Sequence, residues 1–416
     1  VKHSSSVTCS NNFSGDITIG KTGNEYLNGN IDELRITKGI ARYTESFTPQ
    51  SAEYSLVSNT NEVVELIDNT TIAANDFTYD GKDLIVNGTV LTIDGTHTFG
   101  DVQVINGGKI VQTHASAYES EKLTLTVDDM LIQSGAGIYL DGRGITGEGV
   151  ALDHLAGGSY GGKGGANSIE PYGSYKEPVD FGTGAVNNTS NRGGGSIKLI
   201  VNNGLTLDGY ISANGVKNGD SGGSGGSIWL DVAMLSGSGS INSNGGGAFG
   251  HSNYGSGSGG RIAVYYGSLD GFDLGSQISA AGGTQGSVGG AGTIYLKDKS
   301  QAVGELHIKG SSTSGVTKLS GVIDEPVYVS NARIDLLDGT ELKQNIIGTG
   351  KVIPHGTFIV PSDYLVVDGW ELTLNGEHSF ARVDLVNGGK IVQTAASAYE
   401  SEKLTLTVDD MLIQSG

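Results

Sequence analysis

The sequence predicts an all-β chain whose main part is a parallel β-solenoid (β-helix) with wide glycine-rich coils, and three observations carry that expectation. First, "GGGSIKLIV", "GGSIWLDV", "GGRIAVYY" and "GAGTIYLKD" repeat a glycine cluster followed by Ile-x-apolar, placing Ile197, Ile228, Ile262 and Ile294 at spacings of 31, 34 and 32. Second, a shorter apolar strand recurs behind them, centred on Ile211, Ile241 and Ile278. Third, strict alternation (Ile228, Leu230, Val232; Ile262, Val264, Tyr266) asks for one buried and one unburied face. Stacking such units of about 32 residues would bring equivalent Ile side chains into columns about 4.8 Å apart. The alternative architecture is a set of antiparallel β-sandwich repeats. It needs hairpin signals every roughly 8–12 residues, and Asn87-Gly88, Asn214-Gly215 and Asn375-Gly376 supply some of them.

Composition agrees with strands and tight returns. Glycine makes up 69 of 416 residues and proline only six. No Gly-X-Y period is present, which excludes collagen. The glycine clusters alternate with short Ile, Val, Leu and Tyr runs, so they read as loops between strands rather than as a disordered tract. Glycine at a coil corner is expected where φ is positive or where backbones approach closely. The balance of 25 basic and 45 acidic side chains gives −20. Such a field repels phosphate, so nucleic acid and anionic membrane are not expected partners. No apolar run approaches the roughly 18 residues of a membrane span. The single cysteine, Cys9, excludes an internal disulfide framework.

In chain order, residues 1–52 end in "GNIDELRITKGIARYTESFTP" (29–49). This segment resembles the C-terminal end of laminin-G-like (concanavalin-type) jelly-roll domains of bacteria and phages. The resemblance implies a partial β-sandwich, with the remainder supplied upstream or by another chain. Leu34 and Ile36 alternate as a strand requires; Ile31 falls out of phase with them. Residues 53–76 read as a linker.

Residues 77–357 form one complete repeat unit, and 358–416 begin the next. "NGGKIVQTHASAYESEKLTLTVDDMLIQSG" (106–135) returns as residues 387–416 with one difference, His114 against Ala395, at an offset of 281 residues (387 − 106). The offset extends upstream without a gap, keeping Phe77/Phe358, Leu84/Leu365, Val86/Val367, His97/His378 and Phe99/Phe380. Near-identity points to a recent duplication or recombination. The expectation is a window on a tandem array, with targeting information outside it, since the sequence starts at Val1 without an initiator Met or signal peptide. Residues 136–300 are similar to the glycine-rich repeats of very large bacterial surface and secreted proteins, often strung with laminin-G-like domains. That resemblance implies an extracellular, adhesive or structural role.

Candidate chemistry is sparse, and no catalytic residue is assigned. "YGGKGGANS" (160–168) lacks the Gly-Lys-Ser/Thr of a phosphate loop. Asp231, Arg261 and Lys297 could converge on neighbouring coils in the manner of β-solenoid polysaccharide lyases and hydrolases; cross-coil ion pairs on a solvated face are the favoured reading. The eight histidines lack transition-metal spacing. Calcium is the cofactor to consider, with hard-oxygen candidates at Asp32 in "NIDE", Asp94 in "IDG" and Asp141 in "LDGRG". For carbohydrate the candidates are Trp229, Tyr265 and Tyr295, whose rings could stack on sugars; cover by the glycine-rich loops is the favoured alternative.

Two function classes follow. One is a non-catalytic structural or adhesive segment of an extracellular or bacterial cell-surface array, self-associating or covalently tandem, with surface glycans as further partners. The other is a carbohydrate-binding or polysaccharide-degrading β-helix protein, with a phage tail fibre as a third variant.

Overall fold

The computed structural model describes residues 21–22, 25–26, 61–116, 121–147, 155–166, 168–186, 190–217, 220–251, 253–394 and 403–414. The chain divides into two compact units, 1–60 and 61–416. In the first, Lys21–Thr22 pairs antiparallel with Glu25–Tyr26; the jelly-roll segment 29–49 and Asp32 lie outside the described residues. The second unit is all-β, and its sheets are mostly parallel.

The columns expected from the 31–34 spacing are present. Ile197 pairs in register with Ile228, Ile228 with Ile262 and Ile262 with Ile294, all in parallel ladders. All four are 1% exposed or less. Behind them a seven-stranded sheet aligns Leu91, Ile110, Ile138, Ile211, Ile241 and Ile278 in one row. The two rows face each other across one apolar core running from Leu66 to Leu296. Alternation puts every second side chain into that core, and each fully buried Ile or Leu contributes about 2 kcal/mol.

Two features were not expected. The parallel ladder already begins at Val63–Leu66 and Thr70–Ile72, inside the segment read as a linker; these strands pair with Asp83–Asn87 and Val90–Ile93. Here the layers are narrower: Val64, Leu84 and Val102 are successive partners, as are Leu306, Val327 and Ile346 further along. The second feature is a reversal. Thr293–Asp298 pairs antiparallel with Glu305–Lys309, after which the ladders are parallel again. Residues paired directly across strands point to the same face. Tyr295 therefore shares a face with Leu306, and Ile294 with His307. Leu306 and Ile308 belong to a second apolar core, running from Ala291 to Phe380 and Val383. The second core thus lies on the face of the sheet that is outward in the first ladder.

The glycine-rich returns are hydrogen-bonded with a period of three. Gly255 and Ser258 donate to Leu155 and Gly158; Ser256 and Gly259 donate to Ser287 and Gly290; Gly257 and Gly260 donate to Gly246 and Ser243. Each neighbour is met every third residue, the repeat of an extended threefold helix. Such a chain makes no bonds to itself and must find partners on three sides. A Cβ on Gly257 would stand 1.9 Å from the carbonyl oxygen of Gly223. Close backbone approach, not positive φ, is what these glycines provide.

Candidate functional site

The outward face of the first ladder carries the candidate side chains in two columns. Lys198, Trp229, Ala263 and Tyr295 are successive partners in one; Ile200, Asp231, Tyr265 and Lys297 in the next. Alternation places them there because Ile228, Ile262 and Ile294 take the inward positions. The rings form a chain: Trp229 lies 6.1 Å from Tyr265, Tyr265 5.6 Å from Tyr295, and Tyr295 5.9 Å edge-on to Tyr175. The Lys198 ammonium sits 3.6 Å from the Trp229 ring centroid, a close cation–π contact.

Residues 172–181 lie across this face. The Tyr265 hydroxyl donates to the Lys176 carbonyl at 3.0 Å, Ser227 Oγ to the Asp180 carbonyl at 2.6 Å and Ser196 Oγ to the Val179 carbonyl at 2.9 Å. Tyr295 is 4% exposed beneath it, whereas Trp229 and Tyr265 are half-buried. The segment also reaches the second core. The Tyr175 hydroxyl donates to Glu325 Oε2 at 2.9 Å, and Lys176 Nζ stands 2.5 Å from Glu325 Oε1. Burial pushes the Lys176 ammonium down, but the hydrogen bond and charge of Glu325 outweigh it and hold it above its usual value. Burial and Glu325 together raise the Tyr175 hydroxyl.

The three residues considered for polysaccharide chemistry share this face without converging. Asp231 pairs with Lys299, and Lys297 Nζ donates to the Gln301 carbonyl. Tyr265 separates Asp231 from Lys297 in the register. Arg261 is 6% exposed; its Nε donates to the Tyr172 carbonyl at 2.9 Å and its Nη1 to Thr293 Oγ1 at 3.1 Å. Its guanidinium also lies 5.4 Å from the Tyr160 ring centroid. Burial lowers the Arg261 pKa and pushes the Tyr160 hydroxyl up to about 12.

The calcium candidates occupy a different row, at the turn after the second strand. Asp141 accepts from the Asn214 backbone at 2.7 Å and from Asn214 Nδ2 at 3.1 Å; Asn244 N then donates to Asn214 Oδ1 at 2.7 Å. Asp94 likewise accepts from Thr113 N and Oγ1 at 2.9 and 2.8 Å. Both carboxylates are rungs of a polar ladder binding one layer to the next. Among the described residues no three His, Cys, Asp or Glu side chains form a metal-binding group. The recurring histidines are placed similarly: His97 Nε2 is 2.9 Å from the Asp94 carbonyl, and His378 Nε2 is 3.0 Å from that of Asn375.

Sequence reasoning did not find residues 172–181 as a cover. Its available signal was the Tyr-rich run "PYGSYKEPVDF" between two glycine clusters. No helix among the described residues is long and apolar enough to cross a membrane. Comparisons with protein-family models, curated proteins and solved structures return no match.

Proposed function

We propose that this chain is a non-catalytic structural and adhesive segment of a large extracellular tandem-repeat protein, built as a parallel β-solenoid that extends into a rod on a bacterial surface. The observation that carries the reading is the return of one register at the repeat offset. Leu84–Val102 recurs as Leu365–Val383, Gly95–Leu123 as Gly376–Leu404, and Val102–Met130 as Val383–Met411. The second copy also pairs in parallel with the first: Ile347 partners Asp368, Lys351 partners Glu371 and Val352 partners Leu372. A unit that ends in a ladder and begins in one adds length each time it is copied.

The outward aromatic face supports the non-catalytic part, since its charged groups are engaged separately and residues 172–181 occupy the space above Tyr295. Tandem neighbours are the principal partners; surface glycans remain the ligand class for the adhesive role. Chains of one, two and three repeat units, compared by small-angle X-ray scattering, test the reading. The maximum dimension should grow by a constant increment on the order of 50 Å per unit, from layers about 4.8 Å apart, at constant cross-section. Compact particles, or release of reducing ends from polysaccharides, would favour the degradative class.

A further inference from the structure

The duplication presents one structural position twice, once with an internal carboxylate and once without it. In the first copy Asp80 Oδ1 lies 2.9 Å from His97 Nδ1, and Asp80 Oδ2 accepts from the Thr98 backbone N–H at 3.1 Å. His97, stacked on Phe99, is 1% exposed. A Cβ on Gly95 would stand 2.6 Å from that of Ala74, so the preceding turn closes on this strand. In the second copy the repeat offset puts Pro361 in the place of Asp80, His355 in that of Ala74, His378 in that of His97 and Ser379 in that of Thr98. The strand keeps its orientation: Gly376 N donates to the Lys403 carbonyl as Gly95 N does to that of Lys122. Alternate N–H groups of a strand point to opposite sides. The Ser379 N–H therefore points away from Leu404–Ile413, as the Thr98 N–H points toward Asp80. A Cβ on Gly376 would meet nothing within 4 Å, and a cleft of about 710 Å³ lies between residues 353–358 and 373–380.

The geometry points to this cleft as a binding site for a neutral sugar residue of a glycan. Its volume falls in the range of small-ligand pockets. His378 Nε2 lies 3.0 Å from the Asn375 carbonyl, an acceptor, so Nε2 donates and Nδ1 of the neutral ring is left as an acceptor. The Ser379 N–H beside it is a donor, the pair that one carboxylate spans in the first copy. An acceptor next to a donor is matched by a hydroxyl, which donates to one and accepts from the other. The Phe358 and Phe380 rings, 6.1 and 6.4 Å from that of His378, offer an apolar surface to the C–H face of a sugar. Asp338 and Glu377 also line the cleft; their carboxylates accept from hydroxyls and repel an anionic sugar. Thr373 Oγ1 is buried at the same cleft without a hydrogen-bond partner among the described residues. The proposal rests on the adhesive part of the proposed function and gives its glycan a place, in the second copy and not in the first.

The test titrates the full chain by calorimetry with disaccharides of glucose, galactose, mannose and N-acetylglucosamine, and with digalacturonate as the anionic probe. The expected result is binding of at least one neutral disaccharide and none of digalacturonate. Pro361→Asp restores the carboxylate of the first copy and should weaken that binding about tenfold. Glu377→Ala, at an exposed position, should weaken it in the same direction and decides the matter if Pro361→Asp does not fold, with circular dichroism as the check. Unchanged binding in the folded variants overturns the cleft and leaves the adhesive reading standing, as does tighter binding of digalacturonate. Absence of binding by every probe overturns the cleft together with the adhesive part, while growth of the rod, read by scattering, is unaffected.

Discussion

Tyr295 and Leu306 are partners in the antiparallel pair that joins two parallel ladders, so a tyrosine facing outward in the first shares a face with a leucine buried in the second. The outer surface of one module thereby becomes the inner surface of the next. This explains why Tyr295 is buried although it alternates with the inward residues Ile294 and Leu296.

Tyr295→Ala should consequently destabilise the whole of residues 61–416 by about 3 kcal/mol, in the range for deleting a large buried aromatic. Tyr295→Phe keeps the ring and should cost less than about 1 kcal/mol. Urea unfolding followed by tryptophan fluorescence and circular dichroism checks both. A loss confined to one probe would show that the two cores unfold independently.

The glycine returns give a paired prediction. Gly257→Ala places a methyl group against the Gly223 carbonyl, where backbone must move, and the variant should fail to reach the native state. Gly250 has nothing within 4 Å of a built Cβ, so Gly250→Ala should change stability by less than about 0.5 kcal/mol. Expression yield and melting temperature distinguish the two. Comparable behaviour would mean that the threefold packing is not tight.

Tyrosines under and within residues 172–181 predict loss of stability in alkali. Burial raises Tyr160 to about 12, and burial also raises Tyr172, Tyr175 and Tyr265. Below about pH 10 these hydroxyls are protonated in both states and their contribution is complete. As pH rises further the unfolded chain ionises while the folded chain keeps its protons, so unfolding is favoured, up to about pH 12 for Tyr160. Tyr160, fully buried, adds a slope of about 1.4 kcal/mol per pH unit over its window, and the half-buried Tyr172, Tyr175 and Tyr265 add less. Urea midpoints at pH 9, 10, 11 and 12 should fall steeply; a flat profile would contradict the buried tyrosine cluster.

The polar ladder bears on calcium. Asp141→Ala removes the acceptor of two Asn214 donors and should cost about 1–3 kcal/mol, equally in calcium and in chelator. A destabilisation that appears in calcium alone would return Asp141 to the role of a metal ligand.

The parallel ladders were legible because glycine punctuation and the Ile spacing repeat over four units, from Ile197 to Ile294, and because alternation at Ile228, Leu230 and Val232 fixes which face is buried. The narrow layers were not. Val64, Leu84 and Val102 lie in different local patterns, and only their pairing shows them to be equivalent. The reversal at Thr293–Asp298 was also hidden, since "KDKSQAVGEL" (297–306) carries no Asn-Gly or Asp-Gly hairpin signal. Of the candidate site residues, Trp229 and Tyr295 share one column with Ala263 between them, and Tyr265 lies in the next. What covers them comes from residues more than 45 positions away in the chain, a distance at which periodicity carries no information.

One repeat continues into the next through parallel strand pairs, and the pair Lys351–Glu371 at the boundary tests this continuity. The double variant Lys351→Cys/Glu371→Cys, with Cys9→Ser, removes two partly exposed ion pairs, Glu371 with Lys351 and with Lys390, each worth no more than about 1 kcal/mol. It places two thiols on adjacent strands across the unit boundary. Its control, Lys351→Cys/Lys390→Cys, sets them one layer further apart on the same face. The account predicts rapid intramolecular disulfide closure in the first variant with an unchanged circular dichroism spectrum, and none in the second. Equal closure in both, or closure in neither, would contradict this continuity and leave the repeats as separately folded beads.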